Sequence, residues 1–123
     1  MNSSLTSRYY APIAAAYAKA VLAPEIPHTE SELLSAALAA GLDLSPFKRT
    51  PPLPRVQRVL GFLHQLAPST LLDVGSGRGV FVWPLLDTFA DLSLTCVDIL
   101  PRRVERLQLV HQGGIDRLTA VLA

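Results

Sequence analysis

Apolar residues recur along this chain at two different periods. In "PRVQRVLGFLHQLAP", Val56, Val59, Leu60, Leu63 and Leu66 share one face at helical spacing, and Arg55, Arg58 and Gln65 fall elsewhere on the wheel. "HTESELLSAALAAGL" predicts a second helix with both ends marked. Thr29 can cap its N-terminus, Glu32 three residues later completes a capping box, and Gly41 stands where a C-terminal cap belongs. "APIAAAYAKAVLA" consists mostly of strong helix formers, with Pro12 where a helix can begin.

Beyond Pro54 the pattern changes. "TLLDV", "LSLTCVDI" and "RLTAVLA" are short apolar runs of strand length, and helical segments separate them. The first of these helices is expected from about Val80 to Phe89, with Pro84 near its start where a missing N–H matters least. The second, "PRRVERLQLVHQGG", opens at Pro101 and closes at Gly113-Gly114. Strand–helix–strand–helix–strand predicts an α/β fold with parallel pairing and right-handed crossovers. The proline-rich "SPFKRTPPLP" reads as an extended, exposed connector. The expected organisation is therefore a helical segment over 1–50 and an α/β unit over 51–123.

Composition narrows the classes of function. Half of the 123 residues are hydrophobic and 17% are charged, which excludes a disordered chain. A formal net charge of +1 is too small to suggest nucleic acid or an anionic membrane as partner. No apolar run is long enough to span a bilayer. The Ala-rich stretch from Ile13 to Ala23 has something of a signal peptide, but Lys19 interrupts it and only Arg8 precedes it as a basic residue. The single cysteine, Cys96, rules out an intrachain disulfide and suits a reducing compartment, so the cytoplasm is expected.

The densest candidate chemistry is "LLDVGSGRGVF". Asp73 stands at the end of the first strand, and Gly75, Gly77 and Gly79 follow at alternate positions. A glycine loop between a strand and a helix lies at the carboxyl edge of a parallel sheet, where open α/β folds bind ligands. It lets a ligand approach the main chain and meet the N–H groups at the helix start. A dinucleotide fingerprint would need glycine where Val80 stands, and a phosphate loop would need Gly-Lys-Ser/Thr. Asp73 would also repel a pyrophosphate, whereas it suits a cationic or hydroxyl-bearing ligand. The second strand ends in Asp98, which can accept both hydroxyls of a ribose or cap the turn before Pro101.

Together, "LLDVGSGRGVF" and "LTCVDI" resemble the first motif and the acidic strand end of class I S-adenosylmethionine-dependent methyltransferases. The resemblance covers about Thr70 to Ala123 and implies a Rossmann-like sheet of which this sequence supplies the first three strands. It implies S-adenosyl-L-methionine as cofactor, with the loop of Gly75, Ser76, Gly77 and Gly79 against its methionine and ribose portions. Asp73 would orient the methionine part, Asp98 would hold the ribose hydroxyls and Ile99 would pack on the adenine. The methyl acceptor is expected to be a small molecule, met partly by residues outside this sequence. On this reading the 123 residues are the front part of an enzyme, inactive alone and able to self-associate through an open sheet edge. A nicotinamide or flavin oxidoreductase of related fold, or a non-catalytic interaction module, are the rival readings.

The remaining residues carry weaker signals. His28, His64 and His111 are too scattered to bind a metal and read as surface or helix-face residues. Arg102, Arg103 and Arg106 form a basic helix face, and Lys48-Arg49 with Arg55 and Arg58 another, both expected to be solvated. Trp83 is expected to pack with its helix against the sheet. Tyr10, Ala14 and Tyr17 lie near one helical face, as a stripe packed on its own core or as a cap over the cofactor.

Overall fold

The computed structural model describes residues 3–51, 53–75 and 79–123. Six α-helices and three strands follow one another as α1 (Ser3–Arg8), α2 (Ala11–Leu22), α3 (Glu30–Ala39), α4 (Pro54–Leu66), β1 (Thr70–Val74), α5 (Val82–Thr88), β2 (Ser93–Asp98), α6 (Pro101–Gln112) and β3 (Leu118–Leu122). The strands form one open parallel sheet in the order β1-β2-β3, as the alternation of elements predicts. The short helix α1 has no counterpart in the sequence reading, and α5 is shorter than expected at both ends.

Burial alternates along β2: Leu94, Cys96 and Asp98 are buried, and the residues between them are not. The register gives Leu71, Asp73, Leu118 and Ala120 the same facing. This side of the sheet joins a core with Val82, Leu85 and Leu86 of α5 and Leu107 and Val110 of α6. Right-handed crossovers put both connecting helices on that one side. Helix α6 touches β2 and β3 and also packs on α2, which in turn packs on α3.

Small residues make the contact between α2 and α6 close. Ala11, Ala14, Ala15, Ala16 and Ala18 are all buried. A side-chain carbon at Gly113, the last residue of the α6 cap, would lie 1.7 Å from the Ala16 carbonyl oxygen. Only glycine permits that approach.

The marked helix ends form as predicted. The Thr29 hydroxyl accepts the Glu32 N–H at 3.1 Å and the Glu32 carboxylate accepts the Thr29 N–H at 2.7 Å. At the other end of α3, Gly41 takes φ +81° while its N–H reaches Leu38 and that of Leu42 reaches Ala37. That pair of bonds is a Schellman cap. Gly114 and Ile115 close α6 in the same way, through His111 and Val110.

The connector departs from the expectation at Phe47. Ser45–Phe47 is a 3₁₀ turn and Phe47 is buried, while the other described residues of 45–54 are exposed or half-exposed. Phe47 sits between Tyr17 and Trp83, with ring centroids 5.0 and 5.1 Å away. Tyr10 donates its N–H to the Phe47 carbonyl, so the turn is bound to the start of α2. Helix α4 also departs from its expected face. Val56 and Leu63 are buried, but Val59 and Leu66 are exposed, as is Phe62.

Candidate functional site

The parallel register assembles the carboxyl edge of the sheet. Asp73 pairs with Cys96 and Val74 with Val97, and the Gly75 N–H then donates to the Val97 carbonyl at 2.7 Å. Gly75 therefore comes abreast of Asp98, just past the end of β1. Asp73 and Asp98 lie on the same side of neighbouring strands, Asp73 half-buried and Asp98 buried. Ile99 follows directly and is 75% exposed, an apolar side chain at the rim. Ser76, Gly77 and Arg78 lie outside the described residues, as does Pro52.

The two described loop glycines are needed for different reasons. Gly75 has φ +73°, and no described residue lies where its side chain would begin, so its backbone conformation is the requirement. Gly79 has φ +91° and is buried, and an added Cβ would meet the Trp83 indole nitrogen at 2.3 Å. Gly79 is thus the seat of Trp83 as well as part of the loop.

Asp98 holds its turn rather than the helix itself. One carboxylate oxygen accepts the Leu100 N–H at 3.0 Å, and the other lies 3.9 Å from the Arg103 guanidinium. The N-cap position of α6 is Leu100, whose side chain makes no capping bond. Arg103 is accordingly engaged with the site, not a purely solvated charge as the basic face suggested.

Beyond Gly79 opens a cleft of about 710 Å³, between the segment that leads into α4 and the start of α5. Tyr10, Lys48, Leu53, Val56, Val80 and Trp83 are among its walls. Trp83 is buried, but its indole N–H donates to the Pro46 carbonyl at 2.9 Å and its ring meets Phe47. It thus joins the N-terminal segment to the core cluster that also holds Leu94 and Cys96 of the sheet. The Arg49 guanidinium lies 4.5 Å over the Tyr10 ring and binds both oxygens of Asp87 at 3.2 Å. Burial raises the Tyr10 phenol above its ordinary pKa, which Arg49 opposes and Asp87 reinforces.

Other polar residues serve the frame. Arg117 donates to the carbonyls of Leu86, Phe89 and Leu92, closing the C-terminal end of α5 and the loop after it. No sequence signal marked that role, because its partners are main-chain groups 25 to 31 residues away. The His64 ring meets Phe89 at a tilt, centroids 4.8 Å apart, and a His111 ring nitrogen contacts the Leu118 carbonyl. Among the described residues no His, Cys, Asp and Glu cluster could hold a metal ion, and no helix is long and apolar enough to cross a membrane. No family model and no curated protein matches the sequence.

Proposed function

We propose that the chain is the cofactor-binding, Rossmann-like portion of an S-adenosylmethionine-dependent methyltransferase acting on a small molecule in the cytoplasm. The observation that carries this reading is the register that sets Gly75, in its positive-φ conformation, abreast of Asp98 at the carboxyl edge. The residues present fit such a cofactor. Among the described residues nothing lies within 4 Å of a side-chain carbon at Gly75, a carboxylate stands at each of two adjacent strand ends, and Ile99 offers an apolar surface at the rim.

When bound, S-adenosylmethionine supplies an electrophilic methyl group on a sulfonium, whose sulfur keeps the bonding pair as the methyl passes to a nucleophile. Asp98 would accept the ribose hydroxyls, with Leu100 and Arg103 fixing its orientation. Asp73 would attract the cationic amino and sulfonium groups, which is why a carboxylate belongs in this loop. Ile99 would cover one adenine face. The contribution of these residues to rate is proximity and orientation.

Calorimetric titration of the chain with S-adenosylmethionine and, separately, with NAD tests the proposal. Binding of the first and not the second is expected. Asp98→Ala should weaken binding by about 1.5–3 kcal/mol, the usual loss for hydrogen bonds to a charged acceptor, and Asp98→Asn by less. NAD binding without S-adenosylmethionine binding, or unchanged affinity in a folded Asp98→Ala protein, overturns it.

A further inference from the structure

The cleft beyond Gly79 has a composition of its own. Its floor and walls are Trp83, Val56, Val80 and Leu53, with the Tyr10 ring at one side and Pro46, Pro51 and Pro84 between. At about 710 Å³ it falls within the range of small-molecule sites, roughly 300–1,000 Å³. Among the described lining residues Lys48 is the single charged side chain. Its neighbour Arg49 is neutralised by Asp87, whereas no carboxylate lies within ion-pair distance of Lys48 among the described residues. The cleft therefore combines aromatic and apolar walls with one positive charge that makes no close ion pair among the described residues and has Asp43 as its longer-range acidic neighbour.

We infer that this cleft binds a small aromatic anion, its ring against the exposed Leu53 and Val80 and its anionic group at Lys48. A flat ring suits walls of proline, leucine and valine, and a single negative charge matches a single lysine. Thr50 adds a hydroxyl group to the lining that can bond a second oxygen, whereas that of Ser45 is engaged by Asp43. The binding rests on the cleft alone. Its further role, as the site of the methyl acceptor, rests on the proposed function, because Gly79 and Val80, which line the cleft, directly follow in sequence the loop that would hold the cofactor.

Two dyes of similar ring size separate shape from charge: the anion 8-anilinonaphthalene-1-sulfonate and the neutral N-phenyl-1-naphthylamine. Trp83 is the only tryptophan and lines the cleft, so energy transfer from it reports dye bound nearby, and the variants below locate that dye. Both dyes should quench Trp83 at one molecule per chain. Lys48→Met should weaken the anion about fivefold and the neutral dye less than about twofold, as expected for one partly exposed charge pair. Leu53→Glu, at an exposed wall position, should weaken the anion further. The double variant Leu72→Thr with Val74→Thr, on the open sheet face, should leave the transfer unchanged. Equal affinity of the anion for Lys48→Met and the parent protein overturns the inference, and so does loss of transfer in the sheet-face variant. Titration of the same protein with S-adenosylmethionine keeps the two readings apart. Cofactor binding without dye binding removes the cleft and leaves the methyltransferase reading intact. Dye binding without cofactor binding removes that reading and leaves the cleft as an anion site.

Discussion

Two glycines four positions apart have different tasks, and alanine at each should read them out. At Gly79 the added carbon would lie 2.3 Å from the Trp83 indole nitrogen, and φ +91° would strain any side chain. Overpacking of this kind costs about 1–3 kcal/mol, and the left-handed conformation adds about 1–2 kcal/mol. Gly79→Ala should therefore lower the thermal midpoint by several degrees and red-shift Trp83 emission as the indole leaves its seat. Gly75→Ala meets no described residue, so only the conformational cost of about 1–2 kcal/mol applies, with Trp83 emission unchanged. An emission shift from Gly75→Ala, or none from Gly79→Ala, would contradict this division. The glycine spacing announced a special loop. It could not announce that Gly79 answers to Trp83, because that contact depends on where Phe47 and Pro46 lie.

Helix ends set the behaviour of the elements. Thr29→Ala should cost about 1 kcal/mol through loss of the α3 cap. The Thr29 backbone N–H, then its hydroxyl, hold the Glu32 carboxyl below the usual carboxylate range. A lowered folded pKa gives stabilisation that is present above the ordinary carboxylate titration and lost as pH falls through the folded value. Melting followed by circular dichroism should show that acid loss in the parent and a smaller one in Glu32→Gln. Gly113→Ala should be far harsher, about 3 kcal/mol or more, since the clash is with the Ala16 backbone and α6 must separate from α2. Circular dichroism melts of Gly113→Ala and Gly114→Ala side by side measure this, the second meeting only conformational strain at φ +127°. These caps were legible because Thr-x-x-Glu and terminal glycines act through bonds within a turn. Strands were legible because short apolar runs of strand length alternate with helical segments. Phe47 was not, since prolines and charges flank it and only the distant partners Tyr17 and Trp83 make it a core residue. The α4 face was overcalled for the converse reason: periodicity marks a face that can be buried, and Val59 and Leu66 have no described element over them.

At the scale of the whole molecule the sheet is covered on one side. Both crossover helices and the N-terminal helices build on the side of Cys96 and Leu118. The opposite side carries Leu72, Val74 and Val121, and the first two are 61% and 73% exposed. β1 is moreover an edge strand in the described sheet, with backbone donors and acceptors along its outer side. Exposed apolar side chains next to an unpaired strand edge favour pairing with a second copy, as the sequence reading also expects. The described residues offer one device against it, a short strand of five residues. Self-association that grows with protein concentration should follow in light scattering. Leu72→Thr with Val74→Lys should shift it toward monomer, because threonine removes apolar area and a lysine beside the edge opposes stacking of copies. Neither residue belongs to the core, so the thermal midpoint should stay close to that of the parent. A parent protein that stays monomeric over the whole concentration range would show that the β1 edge and its apolar face do not recruit a second copy.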